Sequence, residues 1–262
     1  DAAGNKVLSG EKMMIGALVC SIGAVICYML CYHMTTERVK VEQNTQKFSF
    51  KELISEIAHN KALIGIIVCA LLFLLAQLSL SNMNNYIYPN YFGNVSAMSL
   101  ANLAGMVVIL VLSTFIVKLS AKVGKKELSV IGSIISAAAF LILFFIHTDN
   151  VWVWIVLVLI SSVGTAMFNM VIWAMITDVI DDSEVRTGVR QDGTIYSVYS
   201  FARKLGQACS SGISGVLLSI IGYTAATAHD PKVVDGIYNV TCLVPALGMI
   251  LLFLALQFLY PL

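Results

Sequence analysis

Residues 178–204 read DVIDDSEVRTGVRQDGTIYSVYSFARK and join a charged segment to a long apolar run. Acidic and basic side chains mix in the first half, and Arg203 and Lys204 stand within the run that follows. Charge inside a membrane is costly and usually marks function. We therefore look for the functional site here, if the rest of the chain spans a membrane.

The composition is that of a membrane protein. Of the 262 residues, 58% are hydrophobic and 12% are charged, with a mean hydropathy of +0.86. A soluble domain carries about 25% charged residues. The net charge is +1 and no basic face stands out, so we expect a lipid bilayer and no nucleic acid among the partners.

Six cysteines lie inside apolar runs, without the CxxC or His/Cys spacings of metal or redox sites. We interpret them as small core residues and expect no metal site and no cofactor. The chain begins at Asp1 without Met or a signal peptide, so we expect a fragment or a trimmed chain.

Seven apolar runs reach the length of about 20 residues that a helix needs to cross a bilayer. Because lipid offers no hydrogen bonds to the backbone, we predict seven transmembrane helices. The runs are Met13–Tyr32, Ala62–Leu80, Leu100–Val117, Leu128–Ile146, Val151–Ile176, Thr194–Ile221 and Ile237–Leu259.

Lysine and arginine are concentrated in three alternate loops, those after the first, third and fifth runs. The positive-inside rule makes these loops cytoplasmic. We therefore expect an integral plasma (inner) membrane protein whose chain starts outside and ends in the cytoplasm. The predicted organisation is a first span (1–34), a cytoplasmic loop (35–61) and a six-helix bundle (62–262).

Two connecting segments leave alternatives open. In the cytoplasmic loop, Phe50, Leu53, Ile54 and Ile57 recur at helical spacing, which predicts either a surface helix or a solvated connector. The uncharged segment 81–94 combines asparagines with tyrosines. Its tyrosines fit an interfacial belt, as do Trp152 and Trp154, but with Gln77 and the nearby asparagines they also suit an uncharged polyol or sugar.

The sixth run predicts one polar helix face. With Lys204, this face holds Tyr196, Tyr199, Ser200, Arg203, Gln207, Ser210, Ser211 and Ser214. Lys204 lies about 16 Å beyond Gly193, near mid-membrane. No carboxylate occurs at this depth in the seven runs. Lys204 therefore either meets a carboxylate elsewhere or binds substrate in a cavity, although a purely structural ion pair also fits.

The acidic residues before this face could be taken for a metal-dependent transferase site. The order Asp181-Asp182-Ser183-Glu184 does not give a DDxxD motif, and no second acidic motif is present. We therefore expect no enzyme activity and no catalytic or metal-binding residues. Instead, we expect Asp178, Asp181 and Glu184 to form gating salt bridges with Arg186 and Arg190 at the cytoplasmic helix ends.

These residues resemble the glycoside-pentoside-hexuronide:cation symporters, the melibiose-carrier family of the major facilitator superfamily. The resemblance rests on WAMITD (173–178), on Asp181, Glu184, Arg186, Thr187, Gly188, Arg190 and Gly193, and on TIYSVYSFARKLGQA (194–208). It implies an all-α transmembrane bundle of the major-facilitator type, in which the seven spans resemble helices six to twelve of twelve.

The resemblance implies cation-coupled symport of a sugar or glycoside by alternating access. Lys204 matches a family lysine at the sugar and cation sites, Ser200 a hydroxyl residue that contacts sugar, and Tyr199 a polar neighbour. An aromatic residue that stacks on sugar is replaced by Asn169, with Trp173 one turn further on. Asp182 stands where relatives commonly have Tyr.

We take as substrate-binding residues Lys204, Ser200, Tyr199, Arg203, Gln207, Trp173 and Asn169. The coupling cation, Na+ or H+, is expected to bind mainly to an N-terminal helical bundle that this sequence lacks. Two other functions stay open: a non-transporting receptor or assembly partner derived from half a carrier and, remotely, the metal-dependent transferase.

Overall fold

The computed structural model describes residues 10–36, 60–188, 190, 192–224 and 226–262. Seven α-helices run through these ranges, and each is long and apolar enough to cross a membrane. They are α1 (Gly10–Met34), α2 (Lys61–Tyr86), α3 (Val95–Val123), α4 (Lys125–Ile146), α5 (Val151–Thr187), α6 (Asp192–Ile221) and α7 (Pro231–Phe258). The predicted all-α transmembrane class is confirmed.

Helix α1 belongs to a separate unit of the chain, Asp1–Ser49. Its apolar part, Met13–Met34, has a mean hydropathy of 2.3, as expected for a membrane span. The surface helix predicted around residues 50–57 falls outside the described residues. Its existence stays a prediction.

Helices α2 to α7 pack into one bundle. Helix α4 packs mainly on α5 and α7, α2 packs on α6 and α7, and α3 packs on α5. One apolar core includes Phe73, Phe168 and Met175, and a second includes Trp154 and Tyr238. Helix α6 contacts α2 far more than α5 or α7, so most of its remaining surface is available to a cavity or to lipid.

Helix α5 continues well beyond the predicted end at Ile176. It reaches Thr187, where Gly188 adopts a left-handed conformation (φ 71°) and its N–H donates to the Glu184 carbonyl oxygen at 2.8 Å. Glycine is favoured in this role because it adopts positive φ without a steric penalty. The charged segment predicted to hold gating salt bridges is therefore mostly helix, since α5 ends at Thr187 and α6 begins at Asp192.

Small residues bring α4 and α5 together near their middles. A Cβ atom added to Gly132 would lie 2.6 Å from the Gly164 carbonyl oxygen, so the two backbones are in direct contact. One turn away, the Ser136 and Ser161 hydroxyls share a hydrogen bond of 2.7 Å. Close backbone approach and hydroxyl bonding are the usual means of holding membrane helices together.

Candidate functional site

We call the end of the bundle that holds residues 178–192 the acidic end. There Arg190 binds three carboxylates, those of Asp181 (3.0 Å), Glu184 (2.7 Å) and Asp192 (2.8 Å). The hydrogen bonds that Arg190 donates to Asp192, Glu184 and Asp181 raise the pKa of Arg190, since they favour the charged guanidinium. Arg190 thereby joins the end of α5 to the start of α6.

Asp178 and Arg186, which were also predicted to form ion pairs at the acidic end, have partners other than the predicted ones. Lys125 Nζ donates to both carboxylate oxygens of Asp178, at 2.6 and 2.7 Å, and so ties α4 to α5. Arg186 pairs with Asp182 one turn earlier, at 3.0 Å. The prediction that Asp178 pairs with Arg186 or Arg190 is wrong, because this turn of α5 faces the start of α4.

Helix α6 uses one side to pack on α2. Ser79 and Ser210 share a hydrogen bond of 3.4 Å between their hydroxyls, and Asn82 Nδ2 donates to Ser214 Oγ at 3.1 Å. Ser210 and Ser214 are buried by these contacts. The predicted polar face is therefore divided. These two serines hold helices together, Tyr199 is also buried, and the remaining residues form an open flank.

Arg203 lies on this open flank against aromatic side chains. Its Nη1 donates to the Tyr199 hydroxyl at 3.0 Å, and its guanidinium lies 5.0 Å from the Trp173 ring centroid. Trp173 also lies near Tyr196, with 6.2 Å between ring centroids. Such cation–π contacts hold an arginine without neutralising it.

Tyr199 has no exposed surface, whereas Trp173 is 44% exposed. Direct contact with substrate is therefore possible for Trp173 but not for Tyr199 in this arrangement. Tyr199 can act on a substrate only through Arg203, whose guanidinium it positions. The role predicted for Tyr199, direct contact with substrate, is therefore narrowed to positioning Arg203.

Lys204 is exposed on the same flank. Its Nζ donates to Gln207 Oε1 at 3.3 Å, and Ser200 is half-buried one turn earlier. The ion pairs formed among the described residues do not include Lys204. The flank therefore presents an ammonium group beside an amide and hydroxyls, which can bind an anionic or a hydroxylated ligand.

A cavity of about 210 Å³ opens between α2, α3 and α5, with α4 and α7 behind it. Asn169 lines it, as do Gln77, Ser81, Asn84, Asn102, Ser161, Ser162 and Thr165. Trp173 is not in the lining and stands one turn from Asn169 towards the acidic end. The cavity thus offers hydrogen-bonding groups without charge, and its lining includes no residue of α6.

Of the polar cavity residues, only Asn169 is in the predicted substrate-binding set. Gln77, Ser81 and Asn84 belong to the part of the chain for which a polyol or sugar was an open alternative, whereas Asn102, Ser161, Ser162 and Thr165 were not predicted at all. Asn102 is an amide inside an otherwise apolar run, which is itself a sign of function in a membrane helix. Ser161 and Thr165 precede Asn169 at steps of four residues, so they share its helix face. These two patterns could have located the cavity wall.

The opposite end of the bundle is closed by aromatic side chains. Ring centroids lie 4.7 Å apart between Tyr91 and Tyr238 and 5.4 Å apart between Trp154 and Tyr238, and the Tyr91 hydroxyl donates to Asp149 at 2.9 Å. Trp154 is fully buried. The expectation of an interfacial belt is therefore wrong for Trp154, which belongs to the core, while Trp152 is exposed.

Metal-ligating side chains are dispersed among the described residues. Within the described ranges, no group of three His, Cys, Asp or Glu residues is placed to hold a metal ion. The geometry accordingly offers a polar flank and a neutral cavity in a membrane-spanning bundle, which are the features of a binding site for a polar solute.

The comparisons with known proteins match this architecture. A family model for MFS/sugar transport proteins matches residues 4–262. "Uncharacterized symporter YjmB" of Bacillus subtilis is 31% identical over 97% of this chain and 55% of its own length. "Glucuronide carrier protein homolog" of Escherichia coli is 30% identical over 94% and 53%, respectively.

"Isoprimeverose transporter" of Lactiplantibacillus pentosus is 24% identical over 97% of this chain and 53% of its own length. The chain spans about half the length of the curated relatives it matches. The names describe transporters rather than enzymes, and they confirm the resemblance to the glycoside-pentoside-hexuronide symporters. The chain belongs to the family of MFS/sugar transport proteins.

Proposed function

We propose that the protein containing this chain is a secondary transporter that couples uptake of a sugar or glycoside to a cation by alternating access. The observation that carries the proposal is the exposed ammonium group of Lys204, which lies mid-helix on a polar flank of a membrane-spanning bundle. A cation at that depth calls for a polar ligand. The relatives named for glucuronide and isoprimeverose transport support a sugar.

In this proposal the substrate contacts Lys204, Ser200 and Gln207 on α6, and Trp173 and Asn169 on α5. Arg203 adds a second cation, with Tyr199 behind it as its support. The two cations allow an acidic sugar as well as a neutral one, since ammonium and guanidinium groups bind carboxylates and hydroxyls.

The acidic end is the proposed cytoplasmic end. The basic loops support this orientation through the positive-inside rule, which also puts the chain's N-terminus outside the plasma (inner) membrane. Arg190, with its partners Asp181 and Glu184, and the Lys125–Asp178 pair would then form a cytoplasmic gate. Arg186 acts within α5 through Asp182 and stiffens the gate from one side.

The coupling cation, Na+ or H+, is proposed to bind mainly on a further N-terminal helical bundle. The described helices support this because their carboxylates cluster at the two ends, away from the depth of Lys204. The relatives, of which this chain covers about half, leave room for such a bundle. Its acidic side chains would face Lys204 across the substrate cavity.

Substitution of Lys204 tests the proposal. In membrane vesicles containing the complete protein, Lys204→Ala should abolish sugar accumulation driven by an imposed Na+ or pH gradient, while insertion is unchanged. Arg203→Lys serves as a matched change that keeps charge on the flank and should retain partial uptake. Normal accumulation by the Lys204→Ala variant would contradict the site. Binding of the sugar by the wild-type protein without accumulation would favour a receptor.

A further inference from the structure

The cavity between α2, α3 and α5 carries no ionisable side chain in its lining. Four of its residues, Gln77, Asn84, Asn102 and Asn169, carry amide groups, each of which both donates and accepts hydrogen bonds. Ser162 and Thr165 add hydroxyl oxygens; both hydroxyls donate to backbone carbonyls of α5, which leaves their oxygens free to accept. This wall suits a ligand with many hydroxyl groups and no charge.

The rear of the cavity is apolar. Phe140 from α4 and Pro245 and Met249 from α7 lie behind the amide groups. A sugar ring has the same division, because its C–H faces are apolar and its edges carry hydroxyls. The volume of about 210 Å³ is below the range of about 300–1,000 Å³ that drug-sized ligands occupy. The cavity is therefore suited to a single ring.

Asn84 adds an independent sign of a ligand. Its Oδ1 atom is buried and has no hydrogen-bond partner among the described residues. Asn94 and Asn150, by contrast, use the same atom to accept from backbone N–H groups at helix starts, at 3.1 and 2.9 Å. A buried acceptor without a partner is costly, and a ligand hydroxyl would relieve that cost.

We propose that this cavity binds one uncharged, polyhydroxylated ring of the cargo, with Asn84, Asn102 and Thr165 reading its hydroxyls. Any acidic group of the cargo lies outside the cavity, towards Arg203 and Lys204. The inference rests on the proposed function, because a sugar or glycoside supplies the ring. It assigns ring recognition to α2, α3 and α5, whereas the α6 flank binds the charged group.

Three variants of the complete protein test the cavity: Asn84→Leu, Asn102→Leu and Thr165→Val. Thr165→Val is nearly isosteric and guards against misfolding of the other two. Thr114→Val and Thr177→Val are matched controls, because their exposed hydroxyls also donate to backbone carbonyls of α3 and α5 but lie outside the cavity. The probes are methyl β-D-glucoside, methyl β-D-xyloside and methyl β-D-glucuronide.

Binding is measured by titration calorimetry on purified protein, and accumulation is measured in vesicles. For a glycoside that the wild type binds, each asparagine variant should weaken binding about tenfold and Thr165→Val about threefold, the order expected from losing neutral hydrogen bonds. Both controls should stay within about twofold. Stability against heating checks that each variant is folded.

The two readouts separate the two proposals. Binding that is weakened by the cavity variants but accompanied by no accumulation would sink the transport function and keep the cavity. Accumulation with unchanged affinity in Thr165→Val and in every folded asparagine variant would overturn the cavity and keep transport. If the wild type neither binds nor accumulates any of the three glycosides, both proposals are wrong.

Discussion

Among the residues that the structure describes, Arg203 contacts aromatic rings and the Tyr199 hydroxyl rather than a carboxylate. Trp173 lies under its guanidinium and the Tyr199 hydroxyl accepts one of its N–H groups. An arginine stabilised in this way keeps its positive charge available to a ligand, whereas an ion pair would neutralise it. Helical periodicity placed Arg203 and Tyr199 on one face of α6. It could not show that Tyr199 is buried whereas Trp173, on α5, is exposed.

Tyr199→Phe tests this arrangement at the residue scale. The change removes the hydroxyl acceptor and keeps the ring, so Arg203 should lose its fixed position and substrate affinity should fall about three- to tenfold, the order of a hydrogen bond to a charged group in a partly exposed site. Substrate binding by titration is the measurement.

The double variant Tyr199→Phe/Arg203→Lys is the control for this prediction. If Tyr199 acts through Arg203, the two losses should not add, because the second change removes what the first one supports. Fully additive losses would show that Tyr199 acts on its own.

At the scale of single helices, length and hydropathy predict the membrane spans well. An uninterrupted apolar run has to satisfy its own hydrogen bonds in lipid, so its type is fixed before any packing is known. The last three turns of α5 escaped prediction because charged residues resemble a loop in a hydropathy profile. In that segment, oppositely charged residues four apart, such as Asp182 and Arg186, indicate a helix better than hydropathy does.

Gly188 ends this extended helix, and its substitution is a test of the helix end. Gly188→Ala should lower stability by about 1 kcal/mol, because a residue with Cβ resists the left-handed conformation. The added Cβ meets no neighbour within 4 Å, so backbone strain is the only direct cost. Thermal unfolding of the purified protein measures it.

Gly188→Asn is the matched control for this change. Asparagine adopts the left-handed conformation more readily than alanine and should retain more of the stability. Equal losses in the two variants would indicate that the conformation of residue 188 does not limit stability.

At the scale of the whole molecule, the site depends on which helices become neighbours. Asn84, Asn102 and Thr165 lie on three helices and are far apart in sequence, so no local pattern joins them into one cavity. The same holds for Lys125 and Asp178, whose pairing requires α4 beside α5. By contrast, the α6 flank was predictable because it is built from one helix with a single period.

Reversing the Lys125–Asp178 pair tests the proposed gate. Asp178→Asn and Lys125→Gln should each change the turnover rate several-fold more than substrate affinity, since a gate acts on the exchange between states rather than on binding. The double swap Lys125→Asp/Asp178→Lys should recover much of the lost turnover. Initial uptake rates and binding constants together measure the effect.

An equal change in binding and turnover would count against a gate. A double swap whose effect equals the sum of the effects of the two single changes would also count against a gate, because a specific pair should show coupling between its members. Glu127→Gln serves as a nearby control, since Glu127 makes none of the ion pairs found among the described residues.

The contact between Gly132 and Gly164 has a consequence for that pair. Helices α4 and α5 are joined by the short turn 147–150 and touch again, backbone to backbone, near their middles. With two other fixed points between these helices, we expect that loss of the Lys125–Asp178 bond leaves the packing of α4 on α5 intact. In the proposed transport cycle, the pair would then open and close without separating the two helices.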